Sequence, residues 1–143
     1  MNLLFILIIE MKKRPKPIDM ETLIYPGFPT DLQAQWMALM TIADGSSKII
    51  DNIYTDRFTH IAELERLGAK IHLDNNLATI SGVDKLYGAQ VMSTDIRASA
   101  SLVIAGLYSI GETKISRIYH IDRGYENIEY KFKKLGSNIV RIK

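Results

Sequence analysis

Apolar positions along this chain fall into short blocks whose spacing switches between helical and strand periods. Between residues 30 and 44, Leu32, Trp36, Leu39 and Ala43 recur on one helical stripe that Met37 and Met40 widen. This predicts a mostly buried helix. Pro26, Gly27 and Pro29 hold its approach out of helical geometry, Thr30 is placed to cap its first turn, and Gly45 is placed to end it in a left-handed conformation. Isoleucines then dominate residues 48–54, which read as a strand. A turn at Thr55-Asp56-Arg57 leads into a helix over 58–67, with Ile61, Leu64 and Leu67 inward and Gly68 as its stop. Strands over 69–73 and 77–81 follow, joined by Asp74-Asn75-Asn76.

The pattern then restarts. Thr94-Asp95 opens a second long helix to about Tyr108, rich in Ala98, Ala100, Leu102, Val103, Ala105 and Leu107, and Gly111 closes it. A strand over 113–119, a turn over 120–124, a helix over 125–135, Gly136 and a strand over 138–142 complete the series. Thr30-Asp31 aligns with Thr94-Asp95, Ile53-Tyr54 with Ile118-Tyr119, Asp56-Arg57 with Asp122-Arg123 and Leu67-Gly68 with Leu135-Gly136, at offsets of 64 to 68 residues. Such matching predicts two copies of one helix-strand-helix-strand unit, at about 25–88 and 89–143, stacked on a shared core. Residues 1–13 stand apart from both. Met1 to Glu10 is an apolar run expected to form a buried strand or to mark an accidental start, and Lys12, Lys13, Arg14 and Lys16 follow it. The charge follows the apolar block, opposite to a secretory signal, and the block is far short of the roughly 20 residues that span a bilayer.

Composition narrows the chemistry. At 143 residues, 47% apolar and 24% charged, the chain is the size and polarity of one soluble globular domain. Its net charge of +2, with bases scattered among 16 carboxylates, gives no footprint for nucleic acid. Without cysteine there is no disulfide, thiolate nucleophile or zinc-thiolate site, and His60, His72 and His120 lack ligand spacing, so no metal is expected. Two readings of the repeated corners stay open. Thr30 and Asp31 can be no more than a helix start, and Asp56-Arg57 and Asp122-Arg123 no more than local surface pairs; stacking can instead bring their charges to one site. Arg97 departs from the bland pattern. A cation in the first turn of an apolar helix opposes the helix dipole, so an anion, Asp95 or a ligand, is expected beside it.

The stretches Tyr-Pro-Gly-Phe-Pro-Thr-Asp-Leu-Gln-Ala-Gln at 25–35, Asp-Arg-Phe at 56–58, Ala-Gln-Val-Met-Ser-Thr-Asp-Ile-Arg-Ala-Ser-Ala-Ser-Leu at 89–102 and Ile-Tyr-His-Ile-Asp-Arg-Gly-Tyr-Glu at 118–126 carry a family resemblance. They are similar to the C-terminal portion of the enolpyruvyl transferases, on the UDP-N-acetylglucosamine 1-carboxyvinyltransferase branch. The likeness runs from about Arg14 to Lys143, and Ile24 stands where that family has a proline. It implies an α/β (α+β) fold of repeated βαβαββ-like units, part of an inside-out α/β barrel with three units per barrel and the active site between two barrels.

The implied reaction moves an enolpyruvyl group from phosphoenolpyruvate to the 3-hydroxyl of UDP-N-acetylglucosamine, releasing phosphate, in cytoplasmic peptidoglycan synthesis, with no cofactor. By the resemblance, Asp31, Arg57 and Arg123 are catalytic, and Asp31, Ile53, Asp95 and Arg97 bind substrate. Asp31 would accept the sugar hydroxyl proton, Arg57, Arg97 and Arg123 would hold the phosphoenolpyruvate part, and Ile53 would line the nucleotide-sugar site. The family's other half carries a Lys-Asn pair, further arginines and a general-acid cysteine. The chain is therefore expected to be a fragment with a displaced start, inactive alone, needing an N-terminal half or associating with itself through uncovered apolar faces. A shikimate 3-phosphate enzyme fragment and a non-catalytic nucleotide-sugar-binding remnant are the competing readings.

Overall fold

The computed structural model describes residues 10–142, so the strand expected within Met1 to Glu10 lies almost wholly outside the described residues. The chain runs β1 (Met20–Thr22), α1 (Gln33–Met40), β2 (Ser46–Asp51), α2 (Ile61–Arg66), β3 (Lys70–Asp74), β4 (Leu77–Ser81), β5 (Gln90–Met92), α3 (Ile96–Tyr108), β6 (Lys114–Ser116), α4 (Tyr119–Asp122) and α5 (Ile128–Lys134). One sheet has the order β1-β2-β4-β3, with β1 parallel to β2 and the β2–β4 and β4–β3 pairs antiparallel. A second sheet pairs β5 with β6 in parallel. Parallel neighbours need a long crossover, and α1 and α3 supply it in the two sheets. These two helices pack against each other. Between them and the larger sheet sits the core, where Met37, Met40, Ile49, Leu64, Leu67, Ile80, Leu86 and Leu102 are fully buried.

Several boundaries differ from the sequence pattern, each for a local reason. Thr30–Leu32 is a 3-10 turn, and Thr30 does not cap a helix: its hydroxyl donates to Asp51 Oδ2 at 2.7 Å. That charge-assisted bond takes the proton, and the lone pair a cap would offer to a backbone amide receives Arg57 Nη1 at 3.1 Å instead. The deep face of α1 carries Ala34, Met37, Ala38 and Met40, whereas Leu32 is exposed and Trp36 packs edge-on to Phe28. Strand β2 stops at Asp51, three residues early, because its carboxylate takes the amides of Ile53 and Tyr54 and turns the chain. Strands β1 and β5 were not legible as strands, and β1 precedes residue 25, where the first repeat is expected to begin.

The second half departs further. Arg117 adopts a positive φ of 55°, which ends β6 after Ser116, so Ile118-Tyr119 opens the α4 helical turn and the expected turn over 120–124 is partly helix. Helices α2 and α5 are shorter than expected, but Gly68 and Gly136 follow them at nearly equal φ values of 96° and 93°. That left-handed conformation is why glycine stands at both positions. The strand expected over 138–142 does not form among the described residues. Arg141 is instead drawn back by Asp122 and Glu129, at 2.7 Å and 3.0 Å.

Candidate active site

Asp31, Arg57 and Arg97 meet on one exposed face, brought there by three different elements. Asp31 lies in the turn before α1, Arg57 in the loop after β2, and Arg97 in the first turn of α3. Asp31 Oδ1 accepts from Arg97 Nε at 2.6 Å and lies 2.5 Å from its Nη2, while Arg57 Nη1 reaches the same oxygen at 3.4 Å. Two guanidinium groups share one carboxylate oxygen, and planar forks of this kind suit a further anion on this face. The anion beside the Arg97 guanidinium is thus Asp31, from 66 residues away, while Asp95 meets Arg97 through its backbone amide.

Arg57 is the more constrained of the two arginines. Its Nη1 also donates to Thr30 Oγ1 at 3.1 Å, and its guanidinium carbon lies 3.8 Å from the centroid of the Tyr54 ring. The buried Gln33 amide approaches the Arg57 carbonyl at 3.4 Å. Behind Thr30 stands Asp51, fully buried, which also accepts from Thr22 Oγ1 at 2.7 Å and the amides of Ile53 at 3.0 Å and Tyr54 at 2.9 Å. Burial opposes its ionisation. The amide of Tyr54, the hydroxyls of Thr30 and Thr22 and the amide of Ile53 outweigh it and hold the carboxyl below the usual range.

Asp95 has a different local role from Asp31 despite the matching dipeptide. It caps α3, accepting from the amides of Arg97 at 2.8 Å and Ala98 at 3.0 Å, and its other oxygen accepts from Thr59 at 3.3 Å and Thr94 at 3.4 Å. Burial again opposes the charge, and the amides of Ala98 and Arg97, the Thr59 hydroxyl and nearby His60 hold this carboxyl below the usual range. His60 is almost wholly buried beside Phe58, and that burial pushes its pKa down to about 4 although Asp95 pulls the other way.

The remaining expected residues are placed less directly. Ile53 is half-exposed, and its amide is already committed to Asp51, which leaves its side chain and carbonyl to a ligand. Arg123 is exposed at the end of α4 and makes no hydrogen bond or ion pair with Asp31. Its corner does lie near the cluster. A side-chain carbon built on Gly124 would meet Ile96 Cδ1 at 2.3 Å, and the Tyr125 hydroxyl accepts from Gln35 Nε2 at 3.2 Å. The reading of the Asp-Arg dipeptides as local pairs does not hold, since Arg57 pairs with Asp31 and Asp122 with Arg141.

Sequence reasoning missed Asp51. Its signal was an acid in register with Ser47 and Ile49, on the inward face of an isoleucine-rich strand. A cleft of about 530 Å³ lies apart from this cluster, lined by Val103, Leu107, Ile115, Ile139 and Arg141. Among the described residues no group of three or more metal-ligating side chains forms, and no helix is long and apolar enough to cross a membrane.

This arrangement of crossover helices and half-sheets is that of the enolpyruvyl transferases. The crystal structure of the enolpyruvyl transferase NikO from Streptomyces tendae superposes with a TM-score of 0.79 at 28% identity, over 87% of this chain and 29% of that one. EPSP synthase from Acinetobacter baumannii shares the fold at a TM-score of 0.53 and 17% identity, over 70% and 23%. The chain belongs to the EPSP synthase (3-phosphoshikimate 1-carboxyvinyltransferase) family, whose pattern matches residues 4–132. Relatives named UDP-N-acetylglucosamine 1-carboxyvinyltransferase are 60% identical over 125 residues in Chloroherpeton thalassium and 59% over 131 in Thermodesulfovibrio yellowstonii. These alignments cover 87% and 92% of this chain but 29% and 32% of the relatives, so the chain spans about a third of their length.

Proposed function

We propose that this chain supplies one part of an active site that transfers the enolpyruvyl group of phosphoenolpyruvate to the 3-hydroxyl of UDP-N-acetylglucosamine, with release of phosphate. The observation that carries the reading is the Asp31 carboxylate set between Arg57 and Arg97, contributed by distant stretches of the sequence. The names of the relatives at 57% to 60% identity support the choice of substrates.

The residue chemistry follows from the substrates. Phosphoenolpyruvate carries a carboxylate and a phosphate, and planar guanidinium groups suit both, so Arg57, Arg97 and Arg123 bind its anionic ends. Asp31, its charge balanced by two arginines, takes the proton of the sugar hydroxyl as that oxygen bonds to C2. A carboxylate is a weak base toward an alcohol, so its help comes as the hydroxyl loses its proton in the transition state. Ile53 lines the nucleotide-sugar site, and Asp95 fixes the α3 start that carries Arg97. Protonation of the phosphoenolpyruvate methylene falls to a group outside this cysteine-free chain.

The setting implied by this reading is cytoplasmic peptidoglycan synthesis, and through it cell shape and division. Residues 14–143 then form part of one enolpyruvyl transferase domain with repeats at about 25–88 and 89–143. A nuclear magnetic resonance titration tests the substrate assignment. UDP-N-acetylglucosamine is expected to shift the resonances of Asp31, Ile53 and Arg57, and shikimate 3-phosphate to leave them in place. Shifts with shikimate 3-phosphate alone would overturn the sugar-nucleotide reading.

A further inference from the structure

The buried Asp51 carboxylate is a costly group to place inside a protein unless its oxygens are filled. They are filled in an ordered way. Oδ1 accepts from the amides of Ile53 and Tyr54 and from the Thr22 hydroxyl, while Oδ2 accepts from the Thr30 hydroxyl at 2.7 Å. A hydroxyl has one proton to give. Once Thr30 gives its proton to Asp51, only lone pairs face away from the core, and one receives Arg57 Nη1 at 3.1 Å. Thr22 behaves alike, donating to Asp51 and accepting from the Asn52 amide at 3.0 Å. One carboxylate therefore sets the polarity of two hydroxyls.

We propose that Asp51 is a positioning residue for the anion site: by holding the Thr30 proton it keeps an acceptor turned to Arg57, and through the Ile53 and Tyr54 amides it seats the Tyr54 ring against the same guanidinium. The inference deepens the anion-binding reading of Arg57 and rests on it for its functional meaning. The structural half stands on geometry alone. The Arg57 side chain is long and one-fifth exposed, and without Thr30 its remaining polar side-chain contact among the described residues is the 3.4 Å approach to Asp31.

Asp51→Asn is the informative change, because it keeps shape and reverses polarity. Three donors converge on the Oδ1 position, so the amide oxygen must stay there and the NH2 must face Thr30. Thr30 then accepts, and its own proton turns toward Arg57, setting donor against donor. Thr30→Val removes the acceptor from the other end of the relay, and Thr30→Ser restores it.

The test uses the full chain, observing the Arg57 and Arg97 side-chain N–H resonances without ligand and then titrating phosphoenolpyruvate. Asp51→Asn and Thr30→Val are expected to speed solvent exchange of the Arg57 guanidinium, leave that of Arg97 unchanged, and weaken phosphoenolpyruvate binding by about tenfold. Thr30→Ser is expected to match the parent chain. If Asp51→Asn fails to fold, Thr30→Val decides the same point. An Arg57 signal unchanged in a folded variant overturns the relay, and a loosened Arg57 with undiminished binding overturns its functional role. Absence of phosphoenolpyruvate binding by the parent chain, with the ligand-free signals behaving as stated, rejects the anion-binding reading and leaves the relay intact.

Discussion

Replacing Asp31 by asparagine separates two consequences of the cluster that are otherwise confounded. The carboxylate competes with an incoming anion for the donors of Arg57 and Arg97, so its loss should tighten anion binding even as it removes the proposed acceptor of the hydroxyl proton. The Asp31 side chain is 64% exposed, so solvent screens each pair to about 0.2–1 kcal/mol. Arg97 sits at 2.5–2.6 Å and dominates, whereas Arg57 at 3.4 Å adds little. Together they give about 1 kcal/mol, or about a fivefold gain in affinity for phosphoenolpyruvate in Asp31→Asn. Calorimetry at low and high ionic strength reads this directly, and the gain should shrink with salt. Unchanged or weaker binding by a folded Asp31→Asn chain would refute the idea that these two guanidinium groups receive the anion.

Acid should weaken the fold in two steps. His60 has a lower pKa folded, about 4, than unfolded, 6.5, so the unfolded chain binds the extra proton first, and stability falls as pH drops through that interval. Between pH 7 and 5 the loss should be about 2 kcal/mol, read from urea midpoints, and His60→Phe should abolish it. Asp51 and Asp95 are held below the ordinary 3.8, so the stability they add is present above that value and is lost as pH falls further through their folded values; Asp51→Asn should flatten this second step in an acid titration. Gly88→Ala should lower the melting point sharply, by a loss of about 2 kcal/mol or more, because a Cβ there would lie 2.3 Å from the Glu112 carbonyl oxygen and 2.7 Å from its backbone nitrogen. Exposed Leu107, Ile110, Leu135, Val140 and Ile142 around α3 and the C-terminal segment should make the chain associate, so size-exclusion with light scattering is expected to show no sharp monomer peak.

Of the residues that meet at the cluster, Arg97 was legible from its surroundings, a cation in the first turn of an apolar helix, whereas Asp31 and Arg57 were singled out by the family resemblance. Their partners were not. The nearest acid to Arg57 in sequence is Asp56, yet the fold gives it Asp31, and Arg97 crosses between the two halves to reach the same oxygen. Thr30 shows the limit of local rules. Its position suits a cap, but its hydroxyl donates to a buried carboxylate 21 residues away and accepts from the Arg57 guanidinium, partners no local rule names. Inward residues of α2 followed their spacing, since Ile61, Leu64 and Leu67 face one core. In α1 the stripe was incomplete: Met37, Met40 and Ala43 are buried and Trp36 and Leu39 pack on the core, but Leu32 is exposed, and a helix pressed by both a sheet and α3 also buries Ala34 and Ala38. The expected strand over 138–142 had the right residues and no ladder neighbour among the described residues, so Arg141's ion pairs set its course instead.

Phosphate release from phosphoenolpyruvate and UDP-N-acetylglucosamine tests the reading most directly, measured with this chain mixed with the part of the Chloroherpeton thalassium relative that it does not match. Turnover that requires both polypeptides and both substrates, and that disappears with Arg97→Ala, is the expected result. A folded mixture that binds both substrates and releases no phosphate would contradict it, and so would equal turnover by the 143-residue chain alone.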